Sequence, residues 1–318
     1  MIPALLYGSV LFSQNIDSLR TDRAVLSFVR SLDKYYKNLY IVPPKPVLGL
    51  EDYEARYREF GSEVYEKADF DGNGLTDLLF NGYLTNNEEN HDCRRVSFVV
   101  LSFGNDSFRV KDIKLGSFTQ FFAARKIILG GQNCIATLNS DWGYKDKNVK
   151  NIHNRLDTLA YVLDEFIERT KPNMDTIKKI EYCVGGGLGF FQGLKLSITD
   201  TISIMGCERS LPDMVSVIDS GGVFRMRTDY VANSRIWGLL RHIDISHLAN
   251  HYEVPWTDAL EGSLTITYNN GTVKQIDDYG LIGTYGLAAL QRTLIGVRNL
   301  KHWKKIKEYD ERTSICDY

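Results

Sequence analysis

The sequence predicts an α+β protein of two small domains, each a mostly antiparallel sheet packed with one or two helices. Three observations lead there. At 318 residues, and at roughly 150 residues per domain, the chain has room for two hydrophobic cores. Strand-like runs punctuated by Gly- and Asn-containing turns occur in two blocks. A polar, charged stretch from Ser140 to Arg155 (SDWGYKDKNVKNIHNR) separates those blocks. The expected organisation is a leader over 1–14, an N-terminal α+β module over 15–150, a connecting segment over 151–175 and a C-terminal α+β domain over 176–318.

In chain order, Ile2 to Phe12 (IPALLYGSVLF) is apolar and uncharged, and Ser13, Gln14 and Asn15 follow at once. That length fits the h-region of a secretory signal better than a membrane span. No basic residue precedes it, so residues 1–14 read as a truncated signal peptide; the alternative is a first strand or helix of the fold. Thr21 and Asp22 are N-cap residues. Val25, Phe28, Val29, Leu32, Tyr35, Tyr36 and Leu39 then recur at three-and-four spacing, which predicts an amphipathic helix of about 17 residues. Pro43, Pro44 and Pro46 end it in an extended segment.

Val96 to Phe103 predicts a buried strand, Gly104-Asn105-Asp106 a hairpin turn, and Ser107–Leu115, Phe121–Leu129 and Cys134–Leu138 further strands, with Gly130-Gly131 another turn. Over 156–167 the signal is split. Leu156, Leu159, Ala160, Leu163, Phe166 and Ile167 have helical spacing, which favours a helix, while Leu159, Tyr161 and Leu163 alternate as a strand does. Beyond Pro172, Ile177–Val184 and Leu194–Ile198 predict strands joined by Gly185–Gly189 and Phe190-Phe191, and Gly222–Thr228 predicts another. Ser234 caps a short helix bearing Ile236, Leu239 and Leu240. The Asn270-Gly271 pair between two alternating runs, Leu264–Tyr268 and Val273–Ile276, is a strong hairpin signal. Tyr285–Leu300 predicts a closing helix, and the basic His302–Lys307 (HWKKIK) a solvated helix end.

Composition narrows the function classes. Lys plus Arg is 38 and Asp plus Glu is 40, a formal charge of −2, which argues against a dedicated nucleic-acid binder. The 43% hydrophobic and 25% charged content excludes a largely disordered chain. No apolar run reaches the roughly 18 to 20 residues of a membrane helix, so no membrane span is expected in the mature chain. The five cysteines, Cys93, Cys134, Cys183, Cys207 and Cys316, form no CxxC pair and are too scattered for a disulfide framework. An odd count leaves at least one free thiol, and the sequence leaves the pairing open.

The most specific chemistry lies in Ala68–Phe80, ADFDGNGLTDLLF. Asp69, Asp71, Asn73 and Asp77 stand at positions 1, 3, 5 and 9 of a calcium-loop pattern, with Gly74 at position 6 and the carbonyl of Leu75 at position 7. Side chains two apart can converge on one ion only where the chain coils tightly, which Gly72 and Gly74 permit. Hard oxygen donors suit calcium over zinc or copper. Position 12 is Phe80 where an EF-hand places a bidentate Glu, and Leu78-Leu79-Phe80 reads as a buried strand. The segment DFDGNGLTDLL therefore resembles the calcium loops of FG-GAP and integrin-type propeller repeats. The resemblance covers about 15 residues and implies a ninth-position acidic ligand with a strand following. A propeller needs several copies and the chain has one. The competing interpretation is an Asp/Asn/Gly-rich hairpin turn without metal.

Two weaker constellations carry less. His242, His247 and His251 invite a zinc site, with His247 and His251 on one face if 246–252 is helical and Asp244 or Asp258 as a further ligand, but there is no HExxH. The run VGGGLGFFQG lacks the GK[ST] ending of a phosphate loop and reads as a hairpin or bulge.

A second resemblance spans roughly Thr176 to Lys304. Its carrying residues are Trp256-Thr257-Asp258, Leu264–Gly271 (LTITYNNG), Lys274, Ile276–Gly280 (IDDYG), the Leu-rich last helix and Trp303. Their order is similar to that of the bacterial domain-of-unknown-function family 6438. Many of its members carry a cysteine-rich Gly/Pro turn near the start, where this chain has Gly185–Gly189. The resemblance implies an α+β fold and an envelope setting and no activity. The sequence thus points to an exported, non-catalytic binding or scaffold protein of the bacterial cell envelope, periplasmic or extracellular, with one structural calcium ion. Its expected partner is an envelope protein or a glycan. The rival is a hydrolase with a site between the domains that uses Asp258, His251 or Asp278.

Overall fold

The computed structural model describes residues 15–42, 57–85, 93–113, 121–140, 154–171, 176–186, 193–207, 221–229, 235–254 and 257–308. The expected leader, the prolines after Tyr40, the Gly187–Phe191 part of the glycine turn, most of the 140–155 stretch and the Ser234 cap lie outside them. The described residues form mostly antiparallel strands with few helices, a β-rich α+β protein. The chain divides into two compact units, the first including Gln120–Asn139 and the second running from Ser140 onward.

In the first unit, the Thr21 hydroxyl accepts the Ala24 N–H (3.2 Å) and starts α1, Asp22–Leu32. The helix expected to run about 17 residues stops at 11. Asp33 takes an extended backbone (φ −154°, ψ 148°), and its carboxylate accepts the Tyr35 N–H at 2.8 Å, opening a 3₁₀ turn over Lys34–Asn38. A residue that caps a new turn cannot also continue the old helix. Tyr36 and Leu39 are buried all the same, so the apolar spacing is honoured by a different backbone.

Five strands follow: β1 (Leu39–Tyr40), β2 (Tyr65–Ala68), β3 (Asp77–Thr85), β4 (Cys93–Ser102) and β5 (Phe108–Asp112). β3, β4 and β5 are antiparallel neighbours, and β1 and β2 share the other edge of β3. The expected turn between β4 and β5 is present, with Gly104, Asn105 and Asp106 all at positive φ. Val25, Phe28 and Val29 of α1 pack on Leu78, Phe80, Leu84, Phe98 and Val100. β6 (Phe121–Leu129) lies against β3 and β4, and β3 is consequently buried at every position. Between them, the buried Asn81 amide donates to the carbonyls of Glu63 (2.7 Å) and Ala124 (3.1 Å) and accepts the Ser97 hydroxyl (2.6 Å), so its polar atoms are satisfied without water. Gly130-Gly131 turns β6 into β7 (Gln132–Ser140).

In the second unit the helix favoured over 156–167 is replaced by an antiparallel hairpin, β8 (Asn154–Val162) and β9 (Glu165–Glu168). Leu163 and Asp164 both adopt positive φ, 51° and 66°, the backbone of a two-residue hairpin turn. Leu159, Ala160, Phe166 and Ile167 are buried, but Leu156 is 68% exposed, so the apolar helical face never forms. Strands β10 (Ile177–Gly186), β11 (Leu194–Thr199), β12 (Ile202–Cys207), β13 (Gly222–Arg227), β14 (His251–Tyr252), β15 (Leu260–Tyr268), β16 (Val273–Tyr279) and β17 (Lys304–Glu308) make one sheet. Its order is β14-β16-β15-β10-β11-β12-β13-β17. The β15–β16 hairpin closes at Asn270-Gly271 as expected, with Gly271 at φ 85° and Asn270 Oδ1 accepting the Thr272 N–H.

One face of this sheet, including Ile180, Tyr182, Leu196, Leu264 and Ile276, packs with α2 (Ile236–His242) and α3 (Tyr285–Gly296) through Leu239, Leu287, Leu290 and Leu294. The Glu168 carboxylate accepts the Tyr285 (2.6 Å) and Gly286 (2.7 Å) N–H groups at the start of α3 and one Arg155 N–H (3.2 Å), tying β9 to that helix. Two further expectations are corrected. The basic 302–307 segment is largely the edge strand β17, antiparallel to β13; its exposed lysines suit a sheet edge that must not recruit another strand. Residues 246–252 are not helical: a 3₁₀ turn at Ile245–His247 gives way to β14, parallel to β16.

Candidate metal centre

The calcium-pattern loop is the connection between β2 and β3, whose ends are fixed by the Ala68–Asp77 pairing. Phe70 anchors it from below, 1% exposed. Gly72 and Gly74 sit at φ 78° and 85°, the left-handed conformation that a side chain resists, and these two reversals curl residues 69–75 around their own carboxylates. Carboxylate oxygens of Asp69, Asp71 and Asp77 all lie within 4.8 Å of one another. Among the described residues this is the one convergence of three or more His, Cys, Asp or Glu ligand atoms.

Backbone donors hold each carboxylate. Asp69 accepts from the N–H groups of Gly72 (2.7 Å), Asn73 (3.1 Å) and Gly74 (2.9 Å). Asp77, fully buried as the first residue of β3, accepts the N–H of Phe70 on one oxygen and of Ser102 on the other, both at 2.8 Å. Asp71 accepts the Asn73 N–H and the Asn73 side-chain N–H, both at 3.1 Å. The Asn73 amide thus turns its nitrogen toward Asp71 and the Ser102 carbonyl (2.7 Å), while Oδ1 accepts the Leu75 N–H (2.8 Å). For Asn73 to offer its oxygen to a cation the amide must rotate. Leu75, the expected carbonyl donor, lies in the same curl with its side chain exposed.

Burial, with the Asp69 charge beside it, raises the Asp71 pKa above the ordinary carboxylate value. Burial pushes Asp77 up to about 6, a shift that the Asp71 charge adds to and the Ser102 and Phe70 N–H groups oppose. Carboxylates pushed up by burial and by each other are ones a hard cation would restore to the charged form. Two supports were not visible in sequence: the Ser102 backbone, and Asn133, whose side-chain N–H donates to the Asp69 carbonyl at 2.9 Å. Both come from strands distant along the chain, and no local motif marks them.

The other candidates do not converge. His247 bonds Asp244 (2.8 Å) and His251 bonds Glu253 (3.2 Å), both rings largely exposed, and the His242 carbonyl accepts from the Thr170 hydroxyl. Of the rival hydrolase residues, Asp258 is exposed in a turn at φ 62°. Asp278 is buried and accepts the Ile282 (2.9 Å) and Gly283 (3.1 Å) N–H groups and the Gln291 side-chain N–H (3.1 Å), an arrangement that fixes the turn into α3. Cys183 is disulfide-bonded, whereas Cys134 and Cys207 are not. No helix among the described residues is long and apolar enough to cross a membrane. No family model matches the chain, and no curated protein matches it either.

Proposed function

We propose that this chain is an exported binding or scaffold protein of the bacterial cell envelope whose 69–77 loop holds one structural calcium ion. The observation that carries the reading is the approach of Asp69, Asp71 and Asp77 to within 4.8 Å on a loop curled by two left-handed glycines. All the side-chain donors are oxygens, the ligand class of a hard divalent cation. With the Asn73 oxygen and the Leu75 carbonyl, the set reaches the coordination number calcium uses only if water completes it. An affinity in the range of extracellular modules, about 10⁻⁴ to 10⁻³ M, follows from the lack of a bidentate Glu.

Export is supported by the apolar segment Ile2–Phe12 and by the disulfide at Cys183, a bond that persists in oxidising compartments. The envelope setting rests on the resemblance of the C-terminal part, and its partner is an envelope protein or a glycan. Calorimetric titration of the chelator-treated protein with calcium tests the ion site. Heat that saturates at one ion per chain and disappears in Asp71→Ala is expected; no saturable heat up to about 10 mM calcium sinks the proposal.

A further inference from the structure

We infer that the C-terminal segment 309–318 crosses the sheet face turned away from α2 and α3 and is fastened there by a Cys183–Cys316 disulfide. Cys183 is disulfide-bonded, and of the five cysteines Cys134 and Cys207 are not. The partner is therefore Cys93 or Cys316. Cys93 begins β4 in the first unit. Cys316 follows β17, a strand of the sheet that holds Cys183. On β10, Tyr182 and Val184 belong to the core packed with α2 and α3, so strand alternation turns Cys183 to the opposite face.

The strand register delivers the segment to the right level. β17 ends at Glu308, opposite Gly222, and the same row continues through Cys207 and Leu194 to Val184, the neighbour of Cys183. From β17 to β10 the order is β17-β13-β12-β11-β10, a span of about 19 Å at about 4.8 Å per strand. The eight residues 309–316 reach about 26 to 29 Å when fully extended. A disulfide then holds its two Cα atoms about 4.4 to 6.8 Å apart. Little slack is left, so the path runs directly over β13, β12 and β11. The row beneath it is Lys307, Val223, Gly206, Lys195 and Cys183. Gly206 offers no side chain to obstruct the crossing, and it is buried although α2 and α3 lie on the other face. One row on, Ile204 is 42% exposed and Arg225 is exposed, so the cover is confined to the Cys183 row. Charge agrees: Lys307 and Lys195 flank the glycine, and the segment carries Asp310, Glu311 and Asp317 against one Arg312. Bond formation takes one proton and one electron from each thiol. A disulfide oxidant accepts both pairs and becomes a dithiol.

Tryptic digestion of the unreduced full chain, with its thiols first blocked, followed by mass spectrometry tests the pairing. Ile180–Lys195 should appear joined to Thr313–Tyr318, and dithiothreitol should separate the two. Ile180–Lys195 joined instead to Ala68–Arg94, which carries Cys93, overturns the inference, as does Cys183 recovered unlinked. The crossing itself is read by brief trypsin treatment of the native protein. The Arg312–Thr313 bond should resist cleavage in the oxidised chain and lose that protection in Cys316→Ser. Equal cleavage in the two proteins overturns the crossing. Should Cys316→Ser fail to fold, the map of linked peptides from the unsubstituted chain still decides.

Discussion

Calcium should stabilise the protein, and by an amount that depends on pH in a direction the loop fixes. Two unit charges 4.8 Å apart repel by about 1 kcal/mol in water and about 3.5 kcal/mol at an effective dielectric near 20. Because Asp69 and Asp71 are only partly buried, the lower figure applies to them. The backbone N–H bonds offset part of the repulsion, and a cation removes the rest. With a dissociation constant of about 10⁻⁴ to 10⁻³ M, about 1 mM calcium adds roughly 0.4 to 1.4 kcal/mol by mass action, or roughly 1 to 6 °C in melting midpoint.

Asp77 sets the pH dependence. Its carboxyl rises from 3.8 to about 6 on folding, so between those values the native ion-free loop holds a proton that the unfolded chain has lost. Stability from this group is therefore present at low pH and declines as pH rises toward about 6. Calcium must displace the same proton, so its increment is small near pH 5 and complete near pH 8. Thermal melts with calcium and with chelator at those two pH values provide the measurement. Asp71→Ala should remove the increment and Asp258→Ala should leave it. Midpoints that coincide with and without calcium, up to about 10 mM, would refute the reasoning and leave the loop a turn.

The Glu168 cap gives a second expectation. Glu168→Ala strands the Tyr285 and Gly286 N–H groups and leaves Arg155 with Asp157; a loss of about 2 to 4 kcal/mol in urea unfolding is expected, and a change under about 0.5 kcal/mol contradicts it. Gly82→Ala would place a Cβ 2.6 Å from Phe80 Cε1 and 2.7 Å from the Tyr40 carbonyl, so strand β1 must shift; the same measurement should show a loss of about 1 to 3 kcal/mol. Reduction with dithiothreitol, or Cys183→Ser, should lower stability by about 2 to 4 kcal/mol. Equal unfolding curves for the reduced and oxidised protein would mean that the bond ties nothing structural.

The sequence made some elements legible and concealed others, for physical reasons. Hairpins that turn on glycine or asparagine, at Gly104-Asn105-Asp106 and Asn270-Gly271, were readable because those residues take positive φ at little cost. The β8–β9 hairpin turns instead on Leu163 and Asp164. A leucine in that conformation advertises nothing, and its apolar side chain completed a false helical face. β17 is exposed at every position, so pairing with β13 rather than any alternation makes it a strand. In the 69–77 loop, spacing alone marked Asp69, Asp71 and Asp77, whose carboxylates converge, together with Asn73 and Leu75. The direction of the Asn73 amide was not readable, because it is set by the Ser102 carbonyl 29 residues away.

The burial of β3 at all nine positions bears on how the loop and the rest of its unit come apart. A strand covered on both faces and paired on both edges should be among the last to exchange its amide hydrogens, opening only when the whole unit unfolds. Asp77 is the first residue of that strand, while Gly72, Asn73, Gly74 and Leu75 are exposed. The loop therefore straddles two regimes of motion, its rim able to breathe on its own and its root moving only with the unit. An ion bound there could come and go through the rim without unfolding anything, yet its binding energy would act on the root. Calcium should accordingly slow hydrogen exchange across β3 and its partner β4, and not merely in the loop that touches it.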